Sequence, residues 1–194
     1  MMNLKYEKER LRNECRELRT AFSVKQKKQY DKEIFRKLIS LYQYRDSSLI
    51  LTYVSKGIEV DTFMLIERAL SDGKQVAVPK CVAGTRNMDF YFITGIDCLE
   101  KSTFGVLEPK TDICTKTESF DNSVCIVPGM SFDVRGYRLG YGKGYYDRFL
   151  SGYKGQTVGL CYSSCVKWKL PNGKYDKHVD ILVTERFFRK IKTL

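Results

Sequence analysis

Residues 123–148 read SVCIVPGMSFDVRGYRLGYGKGYYDR. The first five residues, SVCIV, suit a buried strand, and Pro128-Gly129 stop it. Three glycines then fall at alternate positions, Gly140, Gly142 and Gly144. Tyr145, Tyr146 and Asp147 follow, and a helix over 144–150 is expected to open there. A buried strand, a glycine-rich turn and a helix in succession point to an α/β protein.

The flanking sequence extends the same alternation. Residues 3–22 place Leu4, Leu11, Cys15, Leu18 and Phe22 on one helical stripe, with charge elsewhere. Residues 24–43 repeat the pattern with Tyr30, Ile34, Leu38, Ile39 and Tyr42. The period then changes. SLILTYV over 48–54 predicts a buried strand, and 61–71 predicts a helix ending at Asp72-Gly73. QVAV over 75–78 predicts a short strand stopped by Pro79, and further strands are expected over 88–93, 157–162 and 179–183. Strands alternating with helices predict a layered α/β domain with a mainly parallel sheet. No internal repeat, low-complexity segment or Gly/Ser/Pro-rich linker divides the chain.

The 194 residues suffice for one domain with a proper core. No run approaches the roughly 18 apolar residues needed to span a bilayer, and the N-terminus lacks the apolar core of a secretory signal. Seven cysteines without a CxxC pair, and one histidine, argue against a zinc site and for free thiols in a reducing cytosol. The net charge of +11 suits nucleic acid or a polyanionic small molecule.

Alternating glycines let backbone N–H groups approach an anion, and a helix starting near Gly144 adds its free N–H groups and dipole. Arg138 and Lys143 supply positive charge. Asp147 is placed to hold a magnesium ion between phosphates, and the tyrosines offer flat faces to a heterocycle. A Walker loop is excluded, because Tyr137 stands at its first glycine and Gly144 at its Ser/Thr. A dinucleotide fingerprint is excluded by GxGxG spacing. A glycine-rich turn carrying core tyrosines is the competing reading.

Val127-Pro128-Gly129-Met130-Ser131-Phe132-Asp133, followed by residues 136–148, closely resembles the signature of the 5-formyltetrahydrofolate cyclo-ligase (methenyltetrahydrofolate synthetase) family. Lys8-Glu9-Arg10-Leu11-Arg12 is similar to its KxxLR segment. Glu59-Val60-Asp61-Thr62, Phe104 to Pro109 (GxxEP) and Asp180 to Glu185 are fainter likenesses. The resemblance implies a single three-layer α/β domain over 1–194, of the NagB/RpiA/CoA-transferase type, acting as a cytoplasmic monomer. It implies closure of 5-formyltetrahydrofolate, with or without a polyglutamate tail, to 5,10-methenyltetrahydrofolate. ATP is the co-substrate and Mg2+ the cofactor, with no nucleic-acid or membrane partner. The formyl oxygen is taken to attack the γ-phosphate, and folate N10 then displaces phosphate.

By the same resemblance, the ATP site comprises Lys8, Glu9, Arg10, Leu11 and Arg12 together with Arg138, Leu139, Gly140, Tyr141, Gly142, Lys143, Gly144, Tyr145 and Tyr146. The folate site comprises Val54, Glu59, Tyr141, Gly142, Lys143, Gly144 and Tyr145. Arg138, Lys143 and Tyr145 are expected to carry catalysis, and Asp147 and Asp176 the metal, with Asp180 as the alternative to Asp176. Lys8 and Arg12, at i and i+4, should project from one helix face. Tyr91, Phe92 and Phe104 are candidate ring walls, and Lys80, Arg86 and Lys110 candidate tail ligands. Trp168 is either a pocket wall or a loop anchor, and His178 is expected in a surface or loop role. A basic RNA-binding module, or a same-fold ATP-dependent enzyme with another substrate, remains the alternative.

Overall fold

The computed structural model describes residues 4–102 and 105–191, so Phe104 lies outside the described residues. The main sheet is built from β1 (Leu49–Leu51), β2 (Gln75–Cys81), β3 (Met88–Ile93), β6 (Ser123–Val127), β9 (Gln156–Leu160), β11 (Ile181–Val183) and β12 (Phe188–Lys190). Their spatial order is β12-β11-β9-β6-β1-β2-β3. The five inner strands run parallel, and β3 and β12 close the edges antiparallel. Two smaller sheets flank it: the β4 (Leu99–Lys101) and β5 (Leu107–Pro109) pair, and β10-β7-β8, made of Val166–Lys167, Ser131–Asp133 and Arg138–Leu139.

Side-chain alternation along each strand divides the core in two. Ile50, Val76, Val124, Ile126 and Val158 pack with Ile34 and Leu38 of α2 (Val24–Ser40) and with Leu65 and Ile66 of α4 (Phe63–Ser71). Leu49, Leu51, Ala77, Cys125 and Leu182 pack on the other side with Cys15 of α1 (Leu4–Thr20) and Leu150 of α5 (Tyr145–Gly152). Helices therefore cover both faces of a mainly parallel sheet, as expected from the alternating pattern.

Three local expectations are corrected. The helix expected over 24–43 breaks at Leu41, whose ψ of 141° is extended, and restarts as α3 (Tyr42–Asp46). The break shifts the helical phase, so Tyr44 is buried while Tyr42 is exposed. Pro79 does not stop β2, which continues to Cys81 against β3. Ala77 accepts from Thr52 N–H on the β1 side, so Pro79, two residues on, turns its nitrogen to that side, beyond the end of β1. No ladder donor is lost there. The first strand ends at Leu51 rather than Val54, leaving Tyr53 and Val54 outside the strand.

The turn between β7 and β8 hangs on Asp133, which is fully buried. One carboxylate oxygen accepts from the N–H groups of Arg135 and Tyr137 and the other from Leu170 N–H, at 2.9–3.0 Å. Gly159 on β9 lies beneath the Phe132 ring, where an added Cβ would stand 2.5 Å from the ring edge. Gly159→Ala should therefore destabilise the fold by about 1–3 kcal/mol through overpacking. In urea unfolding the midpoint should fall with an unchanged slope.

Candidate active site

A cavity of about 710 Å³ opens at the carboxyl ends of β1, β2 and β6, where parallel α/β sheets characteristically bind ligands. Its walls come from the first turns of α1, the segment after β1, the end of β2, β5, and residues 138–147.

The loop over 140–144 is shaped from beneath by α1. Arg12 Nε donates to Gly140 O at 2.9 Å, and its Nη1 to Glu9 at 2.8 Å. Gly142 has φ 92°, and a Cβ there would meet Arg12 Nη2 at 3.2 Å. Gly144 has φ 77° and caps α5 without any side-chain hydrogen bond. The N-terminal N–H groups of α5 thus begin at the cavity wall, an arrangement that favours anions. Gly140 is outside the left-handed region, and a Cβ there would meet nothing. Two of the three alternate glycines are therefore required by the backbone itself.

Arg138 is buried, its side chain only 4% exposed. It donates to Asp147 at 2.9 Å and to Lys177 O at 3.1 Å, and lies over the Tyr146 ring. Burial lowers its pKa from the usual value, partly offset by Asp147, yet a guanidinium stays cationic at any physiological pH. Lys143 is exposed and, among the described residues, has neither a hydrogen bond nor an ion pair.

Asp147 also accepts from Lys177 N–H at 3.1 Å. Asp176 accepts from Lys8 Nζ at 2.7 Å and from Gly173 N–H at 2.9 Å. Burial raises the Asp176 pKa, but the Lys8 and Gly173 hydrogen bonds outweigh it and hold the carboxyl below its usual range. The two carboxylates share the cavity and both act on Arg138. No group of three His, Cys, Asp or Glu side chains able to hold a metal occurs among the described residues. A divalent ion that takes one or two carboxylates and completes its shell with phosphate and water still fits this donor set.

Beside Tyr141 in the cavity wall, Glu59 is 6% exposed and accepts from Lys56 N–H at 2.8 Å. Burial, and then the Glu59 carboxylate, push the Tyr141 phenol up. Val54 is buried at the same wall. Tyr145 donates to Thr85 O at 3.4 Å, while the buried Tyr146 hydroxyl has no partner among the described residues.

The cavity thus gathers Lys8, Arg12, Val54, Glu59, every residue of 138–147, and Asp176. Three expected ATP residues fall outside it. Glu9 pairs with Arg12, Arg10 pairs with Glu7 and Glu14 on the solvent face, and Leu11 is buried with Leu139 and Leu170. The periodicity of α1 explains this, since only i and i+4 share the cavity face. Tyr91 and Phe92 pack in the core instead of lining the cavity, and Trp168 is 82% exposed and walls nothing. Lys80 and Lys110 are held by the carbonyls of Pro109 and Asp97. Asp180 binds Thr157 through its N–H and hydroxyl, away from the cavity, and His178 packs on Tyr137. Sequence reasoning missed Tyr53, Lys56, Cys81, Met88 and Glu108 as lining residues. Only Glu108 carried a signal, its place in the GxxEP segment.

A mainly parallel α/β sheet whose cavity is walled by a glycine loop, an uncapped helix start and two neighbouring carboxylates defines an α/β enzyme class with an anion-suited site. The family model described as "5-formyltetrahydrofolate cyclo-ligase family" matches residues 4–185. A 5-formyltetrahydrofolate cyclo-ligase of Saccharomyces cerevisiae is 31% identical, over 74% of this chain and 79% of its own length. One of Mus musculus is 28% identical, over 90% and 92%. The NMR structure of Aquifex aeolicus 5,10-methenyltetrahydrofolate synthetase superposes with a TM-score of 0.84 at 33% identity, covering 96% of this chain and 93% of that one. The chain belongs to the 5-formyltetrahydrofolate cyclo-ligase family.

Gly142→Ala should cost about 1–3 kcal/mol from backbone strain alone and displace Arg12. Thermal melts should show the loss, and the double variant with Arg12→Ala should lose less than the sum of the singles.

Proposed function

We propose that this chain closes 5-formyltetrahydrofolate to 5,10-methenyltetrahydrofolate while converting ATP to ADP and phosphate. The observation that carries this reading is the continuity of one cavity. The loop over 140–144, shaped by Arg12 and opening onto the start of α5, lines the same space as Glu59, which faces Tyr141 of that loop. The loop and helix start suit a triphosphate. The Glu59 carboxylate suits the amide-like edge of a pterin, whose two N–H donors it can accept. The family membership supports the same assignment.

The loop N–H groups and Lys143 hold the γ-phosphoryl group, and Glu59 and Val54 hold the pterin. The formyl oxygen is thereby set in line with phosphorus. Attack transfers the phosphoryl group to the formyl oxygen, and N10 then closes the ring and expels phosphate. No protein nucleophile is needed, so positioning and charge neutralisation carry the rate. Asp147 and Asp176 would hold Mg2+, which when bound neutralises phosphate charge. Arg138 then keeps Asp147 oriented. Because both core clusters share one sheet, we read the whole chain as one catalytic domain.

Absorbance at the methenyl product's band should rise only when ATP, Mg2+ and 5-formyltetrahydrofolate are all present; a rise without ATP sinks the reading. Lys143→Ala should lower kcat/KM by about 10²–10³-fold, the scale of losing one donor to developing charge. Its melting temperature should not change, because Lys143 makes no contact to lose. Asp147→Asn should raise the Mg2+ concentration for half-maximal rate, and an unchanged Mg2+ titration would remove Asp147 from the metal site.

A further inference from the structure

Ring closure has a proton to dispose of. N10 of the substrate carries a hydrogen that the methenyl product lacks, so a group in the cavity must receive it. Four carboxylates line the cavity: Glu59, Glu108, Asp147 and Asp176. Asp147 and Asp176 are each in an ion pair, and Glu59 accepts a 2.8 Å hydrogen bond at the pterin wall. Glu108, on β5, differs from all three. It has no ion-pair partner among the described residues, and its hydrogen-bonding neighbour is Cys81, through a long 3.4 Å contact from the N–H and through the thiol.

Its position fits the task. Tyr145, which begins α5 immediately after the phosphate loop, stands beside Cys81 and Glu108. The Cys81 thiol is pushed up by burial and then by Glu108. The Tyr145 phenol is pushed up first by Cys81, then by burial, with a smaller contribution from Glu108. The groups facing Glu108 are therefore Cys81 on β2, Tyr145 on α5 and Glu100, directly opposite on β4, itself paired with Lys80. Lys56 approaches from the segment after β1, where it acts on Cys81. N10 is the arylamine next to the pterin, so its base must share the cavity with Glu59 and the transfer loop. Glu108 lines that cavity beside Tyr145, the residue that follows the loop.

We propose that Glu108 is the general base that takes the N10 proton as the ring closes. The assignment rests on the function proposed above. The N10 lone pair forms the new bond to the formyl carbon, and the N–H electron pair stays on nitrogen. The proton goes to a Glu108 carboxylate oxygen. The formyl oxygen departs with the phosphoryl group received from ATP, as inorganic phosphate. The carbon is left as the N5–CH–N10 amidinium of the product.

The test uses the full chain and follows methenyl formation. Glu108→Gln should lower kcat by about 10²–10⁴-fold, the usual contribution of a positioned base. KM for ATP should stay near the wild-type value. The fall in wild-type kcat towards low pH should vanish in Glu108→Gln and persist in Glu108→Asp, which should recover part of the rate. Formate should restore activity to Glu108→Ala in a saturable manner. Melting temperatures report folding, and if Glu108→Gln does not fold, the Glu108→Asp profile and formate rescue decide. A Glu108→Gln enzyme whose kcat stays within about tenfold of wild type, or whose loss lies wholly in KM, overturns the assignment. So does an unaltered pH profile. Wild-type protein that makes no methenyl product at all overturns the proposed function itself, whereas an active wild type with an unaffected Glu108→Gln overturns this assignment alone.

Discussion

The guanidinium of Arg19 is buried without a carboxylate partner among the described residues, and the site is assembled around it. Near the end of α1 it is 3% exposed. Its Nη2 donates to Gly129 O at 2.6 Å and Met130 O at 2.8 Å, and its Nη1 to Ile58 O at 3.3 Å. The cation also stacks on Tyr162 at 5.5 Å. An arginine cannot shed its charge to escape burial, so the carbonyls must stay where they are. One side chain thereby ties α1 to the turn after β6 and to the residue preceding Glu59. Hydrogen bonds to a charged group contribute about 1.5–3 kcal/mol, and breaking them here would leave an uncompensated buried cation, a costlier outcome. The neighbouring Cys165 thiol is pulled down first by its pairing with Cys15 and, against burial, by the Arg19 charge.

This clamp explains why α1 can be so polar and still dock. Its buried residues are Leu11, Cys15 and Arg19, a thin apolar stripe for a 17-residue helix. Two arginines one face apart complete the attachment. Arg19 fixes the end of α1, and Arg12 meets Gly140 O near its start. The loop over 140–144 is therefore held from below by α1 and from behind by the β7–β8 turn anchored on Asp133. Preorganisation of this kind matters more than any single contact, because phosphoryl transfer depends on donors already aimed when the substrate arrives.

The parts of this arrangement that are local in sequence were legible there. The glycine-rich turn was expected, and the helix start after it followed directly. Strands alternating with helices gave the parallel sheet, and its buried strands left nearly uninterrupted apolar runs. Pro79 misled because the loss of a donor matters only on a side that has a partner strand, which is a tertiary fact. The break at Leu41 likewise has no proline or glycine to mark it. Glu9, Arg10 and Leu11 came in with a contiguous motif, although only Lys8 and Arg12 of that segment share the cavity face. Arg19 was beyond reach for a different reason. Its partners lie 39 or more residues away, so nothing nearby in the chain distinguishes it from an ordinary surface charge.

The net charge of +11 gains meaning only when the charges are placed. Many of the charged residues sit on helix faces in neutral pairs such as Arg10–Glu7, Arg36–Glu33 and Arg68–Asp72, which contribute little to stability or recognition. The cavity is different. Five cations, Lys8, Arg12, Lys56, Arg138 and Lys143, face four carboxylates, Glu59, Glu108, Asp147 and Asp176. The excess is one positive charge, far short of what a nucleoside triphosphate carries. Under the function proposed above, a divalent ion held by Asp147 and Asp176 would supply further positive charge beside the phosphates. Lys8 and Arg138, which pair with those carboxylates, line the same cavity.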